Sequence, residues 1–318
     1  FPFCHSREYG NLGKSELDSR LRGNDRLVFP ILIPYTYTVM KYIDIHSHLG
    51  FEDLPAQAGG AGIKEVIERM QNEGVATIAV GADLASSKEA VKFANENENV
   101  WACIGMHPAH NLEEVFDDKE YEELVKNPKV VAIGECGLDY YIDKKSKIKD
   151  QKSEEITEEE KERQKKDFIK QIEFSIKYKK PLMLHIREAH NDAYEILKKY
   201  EGKAFGNLHF FTSNLNNAKR FTDLGFTISF PGIITYPPKK ELGRTGVSDL
   251  DDVIKNIPLE KIHAETDSPY AAPVPHRGER NEPAYVIEVY KKIAEIRGED
   301  FEKVRLQLLE NAKKLFGI

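Results

Sequence analysis

The stretch Lys41-Tyr42-Ile43-Asp44-Ile45-His46-Ser47-His48-Leu49 reads as a β-strand. Side chains alternate between the two faces of a strand, so His46 and His48 project in the same direction. Two imidazoles that converge from one strand can hold a metal ion, which can polarise a substrate oxygen or activate a water molecule. An enzyme with a metal site is therefore the first hypothesis, although a single His-x-His pair is weak evidence by itself.

Strand-like apolar runs alternate with helix-like segments from Met40 onward. The eight predicted strands are Tyr42–His48, Ala76–Val80, Val100–Met106, Val130–Glu135, Pro181–His185, Asn207–Phe211, Phe226–Phe230 and Lys261–Thr266. Helical patterns lie between most of them, such as Gly62–Glu73, Ser86–Asn95, Lys161–Lys177 and Asn191–Tyr200. This alternation predicts an α/β fold, a parallel (β/α)8 TIM barrel. An open doubly wound sheet is the alternative, but no Gly-x-Gly-x-x-Gly motif follows the first strand.

Composition limits the classes of function. The chain has 318 residues, of which 40% are hydrophobic and 31% are charged, enough for one large core or two ordinary ones. The net charge of −7 excludes a strongly basic nucleic-acid footprint, yet a metal can supply positive charge locally, so a nucleic-acid substrate stays open. Cys4, Cys103 and Cys136 are widely separated, so we expect a reducing cytoplasmic location. No apolar segment is long enough to cross a bilayer, and no obligate protein partner is indicated.

The first 39 residues differ from the rest of the chain. Residues 1–25 have no periodic apolar pattern, and the apolar segment that follows contains Pro30 and Pro34, which break helices and interior strands. A signal peptide is a poor interpretation, because a basic start and a small-residue cleavage site are missing. Residues 15–25 resemble translated bacterial palindromic repeat sequence. We expect residues 1–39 to be a non-native or disordered extension before Met40, and residues 40–318 to form one domain.

The ends of the predicted strands carry an unusual number of metal-binding side chains. In a TIM barrel the carboxyl ends of the strands meet on the face where catalysis occurs. The polar residues at those ends are His46, His48, His107, Glu135, Asp139, His185, Arg187, His209 and Asp267. A lone His185 or His209 would be a hydrogen-bonded core residue, but the whole set favours a metal site. Its six best nitrogen and oxygen ligands exceed the three that one catalytic metal commonly takes, and they suit two ions that share a bridging carboxylate.

The sequence resembles the TatD family of metal-dependent deoxyribonucleases, within the amidohydrolase-like metallohydrolases. The resemblance covers essentially all of residues 42–318. Its motifs are Asp44-Ile-His-Ser-His48, Gly105-Met-His-Pro108, Gly134-Glu-Cys-Gly-Leu-Asp139, Pro181-Leu-Met-Leu-His-Ile-Arg187, Glu265-Thr-Asp-Ser-Pro-Tyr270 and Pro275-His-Arg-Gly-Glu-Arg-Asn-Glu-Pro283. Each motif is modestly specific alone, whereas all six in this order are highly specific.

The resemblance implies a role for each ligand. His46 and His48 would bind one metal, His185 and His209 the other, Glu135 would bridge the two, and Asp267 would complete the first site. The family's sixth strand usually reads His-Cys-Phe-Ser-Gly, whereas this chain has His209-Phe-Phe-Thr-Ser213, so the turn after His209 lacks a glycine. A ligand set without thiolates is compatible with Mg²⁺, Mn²⁺ or Zn²⁺. The resemblance favours Mg²⁺ or Mn²⁺.

The expected chemistry is hydrolysis of a phosphodiester bond. Two divalent ions activate water and stabilise charge on the phosphate, and Asp267 is expected to accept or orient the proton of the attacking water. His107 and Arg187 are expected to touch the phosphate. Arg277 lies in the loop after strand 8, which often binds phosphate in these barrels. Glu265 lies one layer deeper than Asp267 on the same strand face, which favours a supporting role.

Family resemblance implies a 3′–5′ exodeoxyribonuclease that acts on single-stranded DNA ends, with RNA as a further possible substrate. The alternative is a two-metal hydrolase of a carbonyl substrate, such as a cyclic amide or an aminoacyl ester on tRNA, because fold alone does not separate these reactions. Another subtype of two-metal hydrolase has a carboxylated lysine after strand 4. This chain has Glu135 at that place, which favours its interpretation as a TatD-like hydrolase. A non-enzymatic metal-binding or scaffold protein is a third hypothesis, which the near-complete ligand set disfavours.

Overall fold

Parallel strands that each pair with the next along the chain form a single sheet in the order β1 to β8. The computed structural model describes residues 40–49, 62–109, 114–142, 156–237 and 246–318, so the proposed extension at residues 1–39 lies outside the described residues. The strands are β1 Tyr42–Ser47, β2 Val75–Val80, β3 Val100–Ile104, β4 Val130–Asp139, β5 Leu182–Arg187, β6 Gly206–Leu208, β7 Thr227–Phe230 and β8 Ile262–Ala264.

Helices follow the strands and cover the outside of the sheet. The described helices are α1 Ile63–Glu73, α2 Leu84–Glu96, α3 Asp118–Val125, α4 Glu158–Tyr178, α5 His190–Lys198, α6 Leu215–Asp223, α7 Gly246–Asn256, α8 Val286–Arg297 and α9 Phe301–Phe316. Their ends follow local rules: Asp83 caps α2 by accepting the amide of Ser86, and Gly74 ends α1 in the left-handed conformation that favours glycine. None of the described helices is long and apolar enough to span a membrane.

The barrel closes between β1 and the segment that follows β8. Ser47 and Ser268 form a parallel bridge, the amide of Asp267 donates to the carbonyl of His46 (2.9 Å), and the amide of His48 donates to the carbonyl of Ser268 (2.8 Å). The predicted TIM barrel is therefore confirmed, and the open doubly wound sheet is excluded. Closure also places the end of the first strand beside Asp267, although the two are more than two hundred residues apart in sequence.

Every strand differs from its predicted bounds by at least one residue, and the two largest differences, at the ends of β4 and β6, have identifiable reasons. Strand β4 runs on to Asp139 instead of ending at Glu135, because an irregularity between Ile133 and Cys136 shifts its register and lets it continue pairing with β5 as far as Arg187. Strand β6 ends at Leu208 instead of Phe211. Phe210 has a positive φ of 46°, which is incompatible with regular strand geometry.

Apolar packing forms two layers. Side chains between the strands and the helices form the larger cluster, and a second cluster combines residues of β1 to β5 with Leu309, Ala312 and Phe316 of α9. Met183 belongs to the second cluster and precedes His185 by two residues, so it lies on the same strand face one layer deeper. This cluster is therefore the apolar floor beneath the strand ends.

His263 on β8 is a buried imidazole with neither ring nitrogen hydrogen-bonded, and it lies against the Phe316 ring (6.2 Å between centroids). Burial lowers its pKa to about 3, whereas an unfolded chain would protonate it near its ordinary value. Since the unfolded state then binds the extra proton, stability falls as the pH drops below about 6.5.

We expect His263→Leu to flatten this acid dependence. Between pH 7.5 and pH 5.5 the wild-type protein should lose about 1.4 kcal/mol more stability than the variant. Guanidinium unfolding of both proteins in chelator at the two pH values measures the difference, and the histidines common to both cancel. Identical pH dependence in the two proteins would show that His263 does not titrate between folded and unfolded states.

Candidate metal centre

The end of β1 is fixed by a buried carboxylate. Asp44 is fully buried and accepts hydrogen bonds from the amide (2.8 Å) and hydroxyl (2.7 Å) of Thr266 and from the hydroxyl of Thr77 (3.2 Å). Burial raises the pKa of Asp44 to about 8, against the lowering effect of these donors. The carboxyl group thus joins β1 to β2 and to the segment after β8. This junction sets where His46, His48 and Asp267 meet.

Glu135 occupies the middle of the strand ends and faces two pairs of histidines with its two oxygens. Its Oε2 lies 3.4 Å from Nε2 of His46 and 3.6 Å from Nε2 of His48. Its Oε1 lies 2.7 Å from Nδ1 of His185 and 2.7 Å from Nε2 of His209. One carboxylate therefore touches both groups, which is the arrangement of a bridging ligand.

Asp267 completes the group around the first strand. Its Oδ1 lies 3.4 Å from Nε2 of His48 and 3.6 Å from Nε2 of His46. Four groups of described side chains could hold an ion, and two of them consist of predicted ligands alone, the first being His46, His48 and Asp267, and the second Glu135, His185 and His209. The structure brings all six predicted ligands together.

Donor geometry and charge both fit a bound metal. Donors about 2.0–2.2 Å from one ion lie roughly 3 Å apart, close to the spacings seen here. Burial alone would raise the pKa of Glu135, but the imidazoles of His209, His107 and His46 hold it well below its usual range. In the described part of the chain, the ion-pair partners of Glu135 and Asp267 are all histidines. The buried Glu135 and the partly buried Asp267, which have no lysine or arginine among these partners, are what a divalent cation would neutralise.

His107 lies beside this group as a hydrogen-bond donor. The amide of Ala109 donates to its Nδ1 (3.1 Å), so the proton of the neutral ring is on Nε2, which lies 3.6 Å from Oε1 of Glu135. Burial lowers the pKa of His107 to about 3, so the ring is neutral at physiological pH. His107 can therefore offer one N–H to a group bound between itself and Glu135.

The two predicted arginines have different surroundings. The guanidinium of Arg187 stacks 3.5 Å above the ring centre of Tyr141, and both residues line the cavity over the metal-binding groups. Arg277 stacks 4.4 Å from the ring centre of Tyr236 and is not among the residues that line that cavity. Arg187 thus lines the cavity over the candidate site, whereas Arg277 stacks on Tyr236 and stays a predicted phosphate contact.

The cavity has a volume of about 970 Å³ and opens to solvent above the strand ends. His48, His107, Glu135, His185, His209 and Asp267 contribute to its floor, and Tyr141, Phe210 and Tyr270 to its walls. The strand pattern did not point to these aromatic residues, because each follows a strand end, where side-chain direction depends on the local turn. A volume of this size accommodates a nucleotide-sized ligand.

Two carboxylates support the histidines from behind. Oδ2 of Asp139 lies 3.3 Å from Nε2 of His185, and Oε1 of Glu265 lies 3.5 Å from Nδ1 of His209. Glu265 is fully buried and accepts from the hydroxyl of Ser229 (2.7 Å) and the amide of Phe210 (2.5 Å). The supporting position predicted for Glu265 agrees with these contacts. The sequence pattern assigned no role to Asp139, although it lies four residues after Glu135 on β4.

We expect Glu265→Gln to weaken metal binding by about 10- to 100-fold, because carboxylates behind a ligating histidine fix its ring and raise its basicity. The amide side chain keeps the size of glutamate and one oxygen for Ser229 or Phe210. Titration of Mn²⁺ into chelator-treated protein, followed by calorimetry, measures the affinity. Glu310→Ala, which removes an exposed carboxylate on α9, is the control. Equal Mn²⁺ affinity in wild type and Glu265→Gln would show that Glu265 does not support the site.

Sequence comparison with known proteins also indicates a metal-dependent hydrolase. Residues 43–317 match the family model described as TatD related DNase. YabD of Bacillus subtilis, named an uncharacterized metal-dependent hydrolase, is 34% identical over 278 residues, which is 86% of this chain and 98% of YabD. A protein of Buchnera aphidicola with the same description is 35% identical over 284 residues, 88% of this chain and 97% of its own length.

Solved structures show the same relationship. YjjV of Escherichia coli, described as a TatD homologue, superposes with a TM-score of 0.72 at 26% identity and covers 88% of this chain and 99% of YjjV. A TatD family hydrolase from Entamoeba histolytica gives a TM-score of 0.70 at 22% identity, with 88% of this chain and 99% of that chain covered. The second likeness is evidence for the fold alone.

Proposed function

The chain belongs to the TatD family of metal-dependent hydrolases, and from this premise we propose that it hydrolyses phosphodiester bonds as a 3′–5′ exodeoxyribonuclease on single-stranded ends. The observation that carries the proposal is the position of Glu135, whose two oxygens face two separate groups of histidines. When bound there, two divalent ions would supply an activated water and positive charge opposite the phosphate oxygens. Mg²⁺ or Mn²⁺ is the expected pair.

The side chains around the two metal-binding groups have different proposed roles in the reaction. The Asp267 carboxylate accepts the proton that the attacking water loses, since it borders the cavity beside His48. The Nε2–H of His107 donates to a non-bridging phosphate oxygen on the side of His185. Arg187, fixed over Tyr141, contacts the phosphate of the neighbouring nucleotide.

Charge around the cavity supports action on strand ends. Among the described residues that line it, Arg187 is the one lysine or arginine, and Glu188 adds a further carboxylate to Glu135 and Asp267. Proteins that hold long duplexes neutralise several phosphates with basic side chains. A cavity with one such side chain suits the few phosphates at the end of a single strand.

A substrate panel tests the proposal. Chelator-treated protein is supplied with Mg²⁺, Mn²⁺ or Zn²⁺ and offered single-stranded DNA labelled at the 5′ end or the 3′ end, duplex DNA, RNA and an aminoacyl-tRNA. We expect a ladder of shortened products from the 5′-labelled single strand and early release of the label from the 3′-labelled strand. Hydrolysis of the aminoacyl ester without cleavage of any phosphodiester would contradict the proposal and favour carbonyl chemistry.

A further inference from the structure

Tyr270 presents a large aromatic ring to solvent at the edge of the metal centre. Its side chain is 63% exposed, and its ring lies 6.3 Å from that of His48. Its backbone is nevertheless held firmly, because its amide donates to the carbonyl of Asp267 (2.9 Å) and its carbonyl accepts from Nδ2 of the buried Asn281 (2.5 Å). A tyrosine fixed in this way leaves its apolar face available to a ligand.

A second flat surface lies on the other side of the centre. Tyr141 follows β4, and its amide donates to Oδ1 of Asp139 (3.0 Å), the residue that contacts His185. The guanidinium of Arg187 rests 3.5 Å above the Tyr141 ring, and both side chains are exposed in the cavity wall. The stacked pair of Arg187 and Tyr141 therefore forms a planar, cationic surface beside the second group of ligands. The Tyr270 ring forms a neutral surface beside the first group.

Building on the proposed nuclease function, we propose that these two surfaces each stack a nucleobase, one on either side of the phosphate held over Glu135. One base lies on the Tyr270 ring, and the other lies on the Arg187 guanidinium that Tyr141 supports. The substrate class this selects is a single strand with a base on both sides of the scissile bond.

Chemistry of the two surfaces supports this choice of ligand. Every nucleobase has a π-face, so stacking on tyrosine or on a guanidinium plane binds single strands with little sequence preference. Arg187 additionally attracts the phosphate that follows its base. Bases paired in a duplex are already stacked on each other, so a duplex end must open before both surfaces are filled. The two surfaces thus explain a preference for single-stranded ends without any contact to base edges.

The test combines variants with strands that lack chosen bases. Tyr270→Ala and Tyr141→Ala are compared with wild type on 5′-labelled strands of equal length in which the terminal nucleotide, the penultimate nucleotide, both or neither is an abasic tetrahydrofuran. Phe205→Ala is the matched control, since Phe205 is a 38% exposed aromatic residue that precedes β6 at the opposite end of the barrel. Tyr270→Phe and Tyr141→Phe keep the rings and should behave as wild type.

We expect each alanine variant to lower kcat/KM on the natural strand by about 5- to 150-fold, the range for loss of one stacked base. The loss should vanish when one particular position is already abasic, and that position should differ between the two variants. Equal losses on natural and doubly abasic strands, or no losses beyond those of Phe205→Ala, would overturn the inference while the nuclease function stands. If wild type cleaves none of the strands, the proposed function fails and the inference falls with it.

Discussion

Glu135→Ala should abolish metal-dependent hydrolysis while leaving a folded barrel. The side chain is almost fully buried between the two groups of histidines, and its two oxygens contact members of both. Its loss would remove one proposed ligand from each group and the negative charge that would hold two cations close together. Metal-based stabilisation of the transition state amounts to several kcal/mol, so we expect kcat to fall by about 1,000-fold or more.

Single-turnover cleavage of a 5′-labelled strand, with Mn²⁺ in excess, measures this loss. Glu310→Ala is the control for removal of a carboxylate far from the centre, because Glu310 is exposed on α9. Circular dichroism in chelator establishes that both variants are folded. Cleavage by Glu135→Ala within a few-fold of wild type would mean that Glu135 does not bridge the ions.

Asp267→Asn should lower kcat strongly while preserving the shape of the site. Asp267 has a positive φ of 55°, a left-handed conformation that asparagine tolerates well and alanine does not. The substitution therefore keeps the backbone and one oxygen toward His48, and it removes the carboxylate that we propose as the proton acceptor. Loss of a general base costs about 100- to 10,000-fold in rate.

The matched comparison separates proton transfer from backbone strain. Asp267→Ala should lose as much activity as Asp267→Asn and should also be less stable to heat, because its side chain strains the left-handed turn. Mn²⁺ binding by Asp267→Asn, followed by calorimetry, shows how much of the ligand function is kept. If the kcat of Asp267→Asn were within ten-fold of wild type, a group other than Asp267 would have to accept the proton of the attacking water.

The amino-acid sequence was sufficient for the barrel and for the convergence of His46, His48, Glu135, His185, His209 and Asp267. Parallel strands bring their carboxyl ends to one face whatever their exact register, so the position of a residue at a strand end was enough. The alternation of side chains correctly placed His46 and His48 together, and the closure of β1 against the segment after β8 brought Asp267 to them.

Residues beyond the strand ends were less accessible to sequence reasoning. The extension of β4 to Asp139 depends on an irregular register, and the direction of Phe210 depends on its positive φ. Arg277 has the type and loop position of a phosphate ligand, but its guanidinium rests on Tyr236. In each case local backbone geometry or a local contact, rather than the periodicity of the chain, sets where the side chain lies.

The most direct measurement of the two-metal phosphodiesterase function is a titration of chelator-treated wild-type protein with Mn²⁺, in which cleavage of 5′-labelled single-stranded DNA is followed at each addition. We predict that activity rises until two equivalents are bound and that the products shorten from the 3′ end, because both groups that meet at Glu135 must be filled. Full activity at one equivalent, or no cleavage at any Mn²⁺ concentration, would contradict it.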